Sequence, residues 1–366
     1  MPIREESFRI GCGRYLQKPD AVKESPGEIL HFGKKVLVLG GKTALSIAGS
    51  ALKENFRSGG VEALFITHTG TCDPVSAEAY ASLAKKEACT VVMGVGGGVM
   101  MDLAKFAAAK ASLPILNFPT SSATCAAYTP LSVLYTPEGK TIGSEHLKNE
   151  VNAVLADESI LARQPVRLFL AGVFDAMAKF PEICHRYRET SEDFTLGLDY
   201  AYVLAKRAFT FLSEKTVACC EDLRRGESTE NLRKAFFATI ALPGVISGVA
   251  RGSNQTALGH KFYETARTLY PAETRPFLHG EMVGVGLLLQ NVFNGKTEEN
   301  AALLEWMRRY GMPESVSDIG VPATEEARLA FREKLLSSSS MKEADESGKE
   351  RLEEALQWLW KKANQK

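Results

Sequence analysis

Six histidines occur in 366 residues, so each is worth weighing as a chemical group. His260 lies in TALGHKFYE (256–264), and His279 opens the apolar stretch FLHGEMVGVGLLLQ (277–290). Asp175 sits in VRLFLAGVFDAMAKF (166–180), where its neighbours at helical spacing are mostly apolar. A carboxylate on such a helix is costly to bury unless a cation or hydrogen bonds compensate it. Two imidazoles and one carboxylate are a ligand set for a catalytic divalent ion that keeps one position open. Spacing alone does not bring the three together. Each histidine singly also fits an ordinary core or surface position, and Asp175 also fits a solvent-facing one.

A second chemical signal is GVGGGVMMD (94–102). An apolar run that ends in glycines and enters a helix presents backbone N–H groups at the helix's positive end, and glycine lets a pyrophosphate approach closely. The spacing is not GxGxxG, and a tight strand-to-helix turn explains the same residues. Cys125 has no histidine nearby in sequence to act as its base, which favours a small side chain shaping a pocket over a nucleophile. Arg251 and Lys261 fit either a partner for a substrate carboxylate or plain surface charge.

These residues need elements to hold them. Up to about residue 157, β-rich runs alternate with helical patterns. KVLVLGG (35–41), EALFIT (62–67), CTVVMGVGGG (89–98), LPILNFPT (113–120) and VNAVLAD (151–157) read as strands. Residues 43–60, 74–88 and 100–111 read as helices, and LSVLYTPEGK (131–140) as a hairpin arm turning at Pro137, Glu138 and Gly139. Strands alternating with helices imply a parallel sheet covered on both faces. Beyond residue 160 helical patterns dominate, over 166–187, 194–214, 229–250, 277–293, 297–310, 323–336 and 341–364, with SSSS (337–340) as a loop. The expected organisation is an α/β dinucleotide-binding domain over 1–162 and an all-helical metal and substrate domain over 163–366, with ligands in the cleft between them.

Composition narrows the function classes. Lys+Arg and Asp+Glu are 44 each, so no broad basic face for nucleic acid is expected. The apolar runs read as too short to cross a bilayer, which needs about 20 residues. The start, MPIREESFRI, lacks an apolar signal core. The seven cysteines follow no CxxC spacing. A reduced cytoplasmic enzyme acting on small molecules, with no nucleic-acid or membrane partner, is the resulting expectation.

Four ordered motifs give this reading a family. GVGGGxxxDxAK occupies 94–105, PTxxATxAxxTxLSVxY 119–135, GxxDAxAK 172–179, and xLHGExV 277–283. Together they resemble the iron-containing alcohol dehydrogenase superfamily on its glycerol dehydrogenase side. ATCAAYTPLSVLY (123–135) is most similar to the hydroxycarboxylate dehydrogenase A pattern. The resemblance implies a Rossmann-like parallel sheet followed by an all-α domain, a dehydroquinate synthase-like architecture, and a homo-oligomer. It implies that Asp175, His260 and His279 are the metal ligands. It lays the dinucleotide pyrophosphate on Gly96, Gly97 and Gly98, with Asp102 in the following helix. Thr120, Ser121, Thr124, Thr129, Leu131 and Tyr135 match positions that flank the adenine and nicotinamide parts.

The departures are specific. Where relatives commonly carry Lys after GGG, this chain has Val99. Where glycerol dehydrogenases have a substrate-side Asp, it has Cys125. Gly41 followed by Lys42 replaces the acid that bonds the ribose hydroxyls in NAD-selective members, so NADP(H) is expected and NAD(H) permitted. Tyr263 stands where the family has a second histidine, on the substrate side, and Lys179 where iron-type members have a fourth ligand. Three protein ligands make Zn2+ the expected ion, with Fe2+ or Ni2+ as alternatives. The expected activity is interconversion of small 2-oxo and 2-hydroxy acids. A glycerol or polyol dehydrogenase is the nearest alternative. A dehydroquinate-synthase-like lyase or a glycerol-1-phosphate dehydrogenase would need more cations for a phosphate, and a nucleotide-binding protein without turnover is the non-enzymatic one.

Overall fold

The structure is a computed structural model that describes residues 8, 10–136, 140–189, 196–250 and 255–364. Eight strands are present among them: β1 (Arg14–Lys18), β2 (Lys35–Gly41), β3 (Glu62–His68), β4 (Val91–Gly96), β5 (Ile115–Pro119), β6 (Leu131–Tyr135), β7 (Thr141–His146) and β8 (Ala153–Asp157). Six form one sheet in the order β1-β8-β5-β4-β2-β3, every neighbouring pair parallel. In β2 the consecutive residues Val36, Leu37, Val38 and Leu39 are all fully buried, the mark of a strand covered on both faces. Helices Lys42–Ser58, Pro74–Lys86 and Gly98–Ala111 supply the covers. Leu52 and Phe56 pack with Val36, Val38, Val91, Met93 and Leu116 in the core.

Five of the six sheet strands fall on the runs read from sequence, while β1 was not among them. It is an edge strand of mostly half-buried residues, RYLQK, with no apolar run to announce it. The hairpin forms as expected from β6 and β7, antiparallel, and its turn residues Pro137, Glu138 and Gly139 lie outside the described residues.

Two compact units are present. One contains residues 11–169 and 218–244; the other contains 170–217 and 245–364, with the described residues before 11. The units therefore do not follow a single cut at residue 162, because helical residues 218–244 belong with the sheet-bearing unit. The 229–250 helical pattern is two helices, Glu230–Ile240 and Leu242–Val249. Contrary to the expectation that no apolar run is long enough, Glu230–Val249 has the length and hydropathy of a membrane span. It is interrupted at Ala241 and most of its residues are buried in the protein.

The helical unit is built from the later part of Val166–Glu189 with Leu258–Leu269, His279–Phe293, Asn300–Tyr310, Glu325–Leu336 and Glu346–Ala363, among others. Two crossings are close enough to need glycine. A Cβ on Gly280 would stand 1.8 Å from the carbonyl oxygen of Ala171, and one on Gly286 would stand 2.4 Å from that of Gly259. These contacts draw the helices bearing Asp175, His260 and His279 together.

In the sheet-bearing unit a buried ion pair ties the glycine-loop helix to the hairpin. Lys105 is fully buried; its Nζ lies 2.9 Å from Asp102 Oδ1 and donates to Thr129 O (2.8 Å) and to Leu131 O. Asp102 Oδ2 accepts from Val133 N at 3.1 Å. Lys105→Met leaves the buried Asp102 charge without its cation, so we expect a loss of about 3–5 kcal/mol in urea unfolding. A loss under about 1 kcal/mol would contradict this account of the pair.

Candidate functional site

Asp175, His260 and His279 converge within the helical unit, and their ligand atoms all lie within 4.8 Å of one another. Asp175 Oδ1 is 3.1 Å from His260 Nε2 and 3.5 Å from His279 Nε2. Asp175 comes from the long apolar helix Val166–Glu189, His260 from Leu258–Leu269, and His279 is the first residue of His279–Phe293. Leu258–Leu269 was not among the helices read from sequence.

The arrangement passes a chemical test for a metal. Bonds of about 2.0–2.1 Å at tetrahedral angles put ligand atoms roughly 3.3 Å apart. The two measured edges, 3.1 and 3.5 Å, straddle that value. Asp175 is 2% exposed and His260 8%, whereas the side chain of His279 is 34% exposed, so the donor set opens to solvent on one side. Burial alone would raise the Asp175 carboxyl; the nearby His279 charge and hydrogen bonds from His260 and His279 overcome it and hold the group well below the usual carboxylate range. The site is thus built to keep a carboxylate ionised where water does not reach it.

A residue the sequence reading missed completes the site. Glu182 is fully buried, and its Oε2 lies 2.6 Å from His260 Nδ1. Its Oε1 accepts from the backbone N–H of Ala257 and of His260, both at 2.8 Å. A carboxylate only accepts, so Nδ1 carries a proton, and Nε2 is the ring nitrogen that faces Asp175. Burial lowers the His260 imidazole, and the Glu182 charge together with hydrogen bonds to Asp175 and Glu182 outweighs it, so its pKa is raised. The signal was present in sequence: Asp175, Lys179 and Glu182 sit at i, i+4 and i+7, a charged stripe on an otherwise apolar helix face. Lys179, read from sequence only as a missing histidine, is 5% exposed with Nζ 3.1 Å from His260 Nε2.

Tyr263 packs against His279 with ring centroids 4.3 Å apart at 76°. Arg267 stands over Tyr263 and donates to the carbonyls of Thr274 (2.6 Å) and Phe277 (2.7 Å), fixing the turn that delivers His279. Lys261 is paired with Glu264 at 2.6 Å, and Arg251 lies outside the described residues.

The glycine loop lies in the other unit. Strand order reverses between β2 and β4, since β3 lies beyond β2 on one side and β5 beyond β4 on the other. Crevices outside the carboxyl ends of strands at such a switch point bind nucleotides. Gly41 ends β2, and Gly96 ends β4 at φ +148°, a conformation side chains rarely take. Helix Gly98–Ala111 starts at Gly97 with no side-chain cap on its N–H groups. A Cβ on Gly98 would lie 3.0 Å from Thr124 Cγ2, and one on Gly97 3.8 Å from Ser121 Oγ, so these residues share one rim. Thr120 N donates to Gly96 O at 3.0 Å.

Other residues named from sequence have internal tasks. Asp102 is 8% exposed and holds the hairpin as described. Thr129 and Leu131 offer their carbonyls to Lys105, and Tyr135 N donates to Cys72 O at 2.9 Å. Cys125 is half-buried and starts the short turn Cys125–Ala127. Lys42 is exposed at the start of the helix that follows β2. Val99 is 43% exposed in the first turn after the glycines, so this chain presents an apolar side chain there.

Glu182→Gln keeps the shape but gives up the charged acceptor. Removal of such a partner typically costs 10–100-fold in metal affinity. Competition with a chromogenic chelator is expected to show Zn2+ binding weakened by that factor. Unchanged affinity would mean that Glu182 does not set the state of His260.

Residues 12–158 match the family described as iron-containing alcohol dehydrogenase. The chain is 28% identical over 322 residues to a glycerol dehydrogenase of Thermotoga maritima, covering 87% of this chain and 86% of that protein. It is also 28% identical over 292 residues to hydroxycarboxylate dehydrogenase A of Escherichia coli K12, covering 79% and 78%. The fold of glycerol dehydrogenase from Schizosaccharomyces pombe superposes with a TM-score of 0.84 at 21% identity, over 99% of this chain and 94% of that one. Residues 12–158 thus carry an iron-containing alcohol dehydrogenase domain, and over most of its length the chain is similar to dehydrogenases, oxidoreductases acting on CH–OH groups.

Proposed function

We propose that the protein is a metal-dependent NAD(P)(H) oxidoreductase that interconverts small 2-oxo acids and 2-hydroxy acids. The observation that carries this reading is the convergence of Asp175, His260 and His279 on one point with Glu182 behind His260. In this reading Asp175, His260 and His279 would hold a divalent ion, Zn2+ by preference and Fe2+ or Ni2+ otherwise, which would supply polarisation of a carbonyl, and a bound nicotinamide would supply hydride chemistry. The chain's own contribution is to hold both partners. Asp175 supplies an ionised oxygen in a buried place, where its charge is poorly screened. Glu182 keeps the proton of His260 on Nδ1, so Nε2 stays a ligand. Tyr263 and Arg267 keep the His279 ring from turning away. Gly96, Gly97 and Gly98 leave the backbone N–H groups of the following helix open to a pyrophosphate, with Ser121 and Thr124 beside them.

The acid substrate is favoured over glycerol by Cys125, which stands where the resemblance puts the substrate-side aspartate of glycerol dehydrogenases. A thiol in place of a carboxylate removes both an acceptor for polyol hydroxyls and a negative charge that would repel an acid. NADP(H) is favoured by Gly41 and Lys42 at the end of β2. No carboxylate follows the strand to repel a 2′-phosphate, and a cation does. We further take the protein to be a cytoplasmic homo-oligomer, on family likeness.

Two experiments test the reading. NADPH and NADH oxidation is followed with 2-oxoglutarate, 2-oxobutanoate and dihydroxyacetone, and the reverse reaction with glycerol, after EDTA dialysis and reloading with Zn2+, Fe2+ or Ni2+. NADPH consumption with the 2-oxo acids that needs an added ion is expected. Turnover confined to glycerol and dihydroxyacetone would favour the polyol reading, and no turnover at all would favour a binding protein. A Cβ on Gly41 would touch only Met100 Cγ, at 3.7 Å, so Gly41→Asp fits without strain. It is expected to shift preference toward NADH by about tenfold or more, some 1.4 kcal/mol. An unchanged preference would remove Gly41 from the adenine-ribose site.

A further inference from the structure

The protein carries a cation of its own beside the three ligands. Lys179 follows Asp175 by one helical turn, is 5% exposed, and places Nζ 3.1 Å from Nε2 of His260. The opposite face of that ring is settled by Glu182, which keeps the proton on Nδ1. Nε2, the nitrogen left to bind an ion, lies 3.1 Å from Lys179 Nζ and 3.1 Å from Asp175 Oδ1. An ammonium and a divalent ion cannot both occupy that nitrogen.

We propose that Lys179 competes with the divalent ion for His260 and so sets how tightly the ion is held. The inference rests on the metal-site reading above. With no ion bound, the ammonium lies 3.1 Å from Nε2 and adds a positive charge near the buried Asp175 and Glu182 carboxylates. With an ion bound, it is displaced from Nε2 yet remains a like charge in a poorly screened interior. The lysine thus stabilises the ligand set before loading and weakens binding after it. A neutral side chain at 179 reverses both effects, and a lysine whose task was only packing would produce neither.

The test compares the full-length wild type with Lys179→Met, Lys179→Gln and Lys179→Arg. Zn2+ affinity is measured by chelator competition on EDTA-dialysed protein, and thermal unfolding is followed with and without Zn2+. Met and Gln variants are expected to bind Zn2+ about tenfold more tightly or better, with the Arg variant near wild type. The EDTA-dialysed Met and Gln proteins are expected to melt below wild type, and the deficit to close on adding Zn2+. Equal or weaker Zn2+ binding in a folded Met or Gln variant overturns the proposal; either variant suffices if the other does not fold. Asp175→Asn separates the two readings. Wild-type Zn2+ binding in that variant ends the metal-site reading and this proposal with it. Loss of binding there, without tightening in the position-179 variants, ends this proposal alone.

Discussion

The contact on which the candidate site depends is the one between Glu182 and His260. At 2.6 Å from Nδ1, a fully buried carboxylate decides which ring nitrogen carries the proton. Everything else follows from Nε2 being the nitrogen left for the ligand set. It lies 3.1 Å from Asp175 Oδ1 and 3.1 Å from Lys179 Nζ. The backbone bonds from Ala257 and His260 to the same carboxylate show how the fold holds it still: one side chain caps the start of the His260 helix and orients its histidine together. Burying Glu182 is tolerable because three N–H groups, the backbone ones of Ala257 and His260 and the ring Nδ1–H of His260, are directed at it.

Convergence of three helices on one point is a packing problem before it is a chemical one. Side chains normally hold helix axes 8–10 Å apart. Here Gly280 meets the Ala171 carbonyl and Gly286 meets that of Gly259, where any Cβ would collide. The glycines in HGEMVGVG therefore do as much to create the site as the histidine that precedes them. The glycine loop after β4 uses the residue differently. Gly96 takes a backbone angle other residues avoid, and Gly94 lets Ala104 lie directly on the strand.

Much of this was legible in the sequence, for reasons that differ by residue. The buried strands β2, β4, β5 and β8 announce themselves because burial on both faces demands unbroken apolar runs. β1 does not, because an edge strand can be polar. The helix Leu258–Leu269 escaped notice because its amphipathic pattern is short, although it carries His260. Asp175, His260 and His279 were singled out by residue type and given the ligand role by family likeness; their spacing of 85 and 19 residues says nothing about proximity, which only the helix crossings supply. Glu182 was missed for a simpler reason. Its i+7 relation to Asp175 was there to be read, but an acid near the end of an apolar helix looks like a solvated end. Asp102, a motif acid expected at the nucleotide, has a structural engagement that the sequence did not announce, with Lys105 and the hairpin backbone.

The central claim is that a divalent ion is held by one aspartate oxygen and two imidazole nitrogens. X-ray absorption at the zinc edge of the Zn2+-loaded protein reads that shell directly. The account requires nitrogen and oxygen scatterers at about 2.0–2.1 Å with the outer-shell signature of two imidazoles. A sulfur scatterer at about 2.3 Å, or a shell of oxygen alone without imidazole, would contradict it.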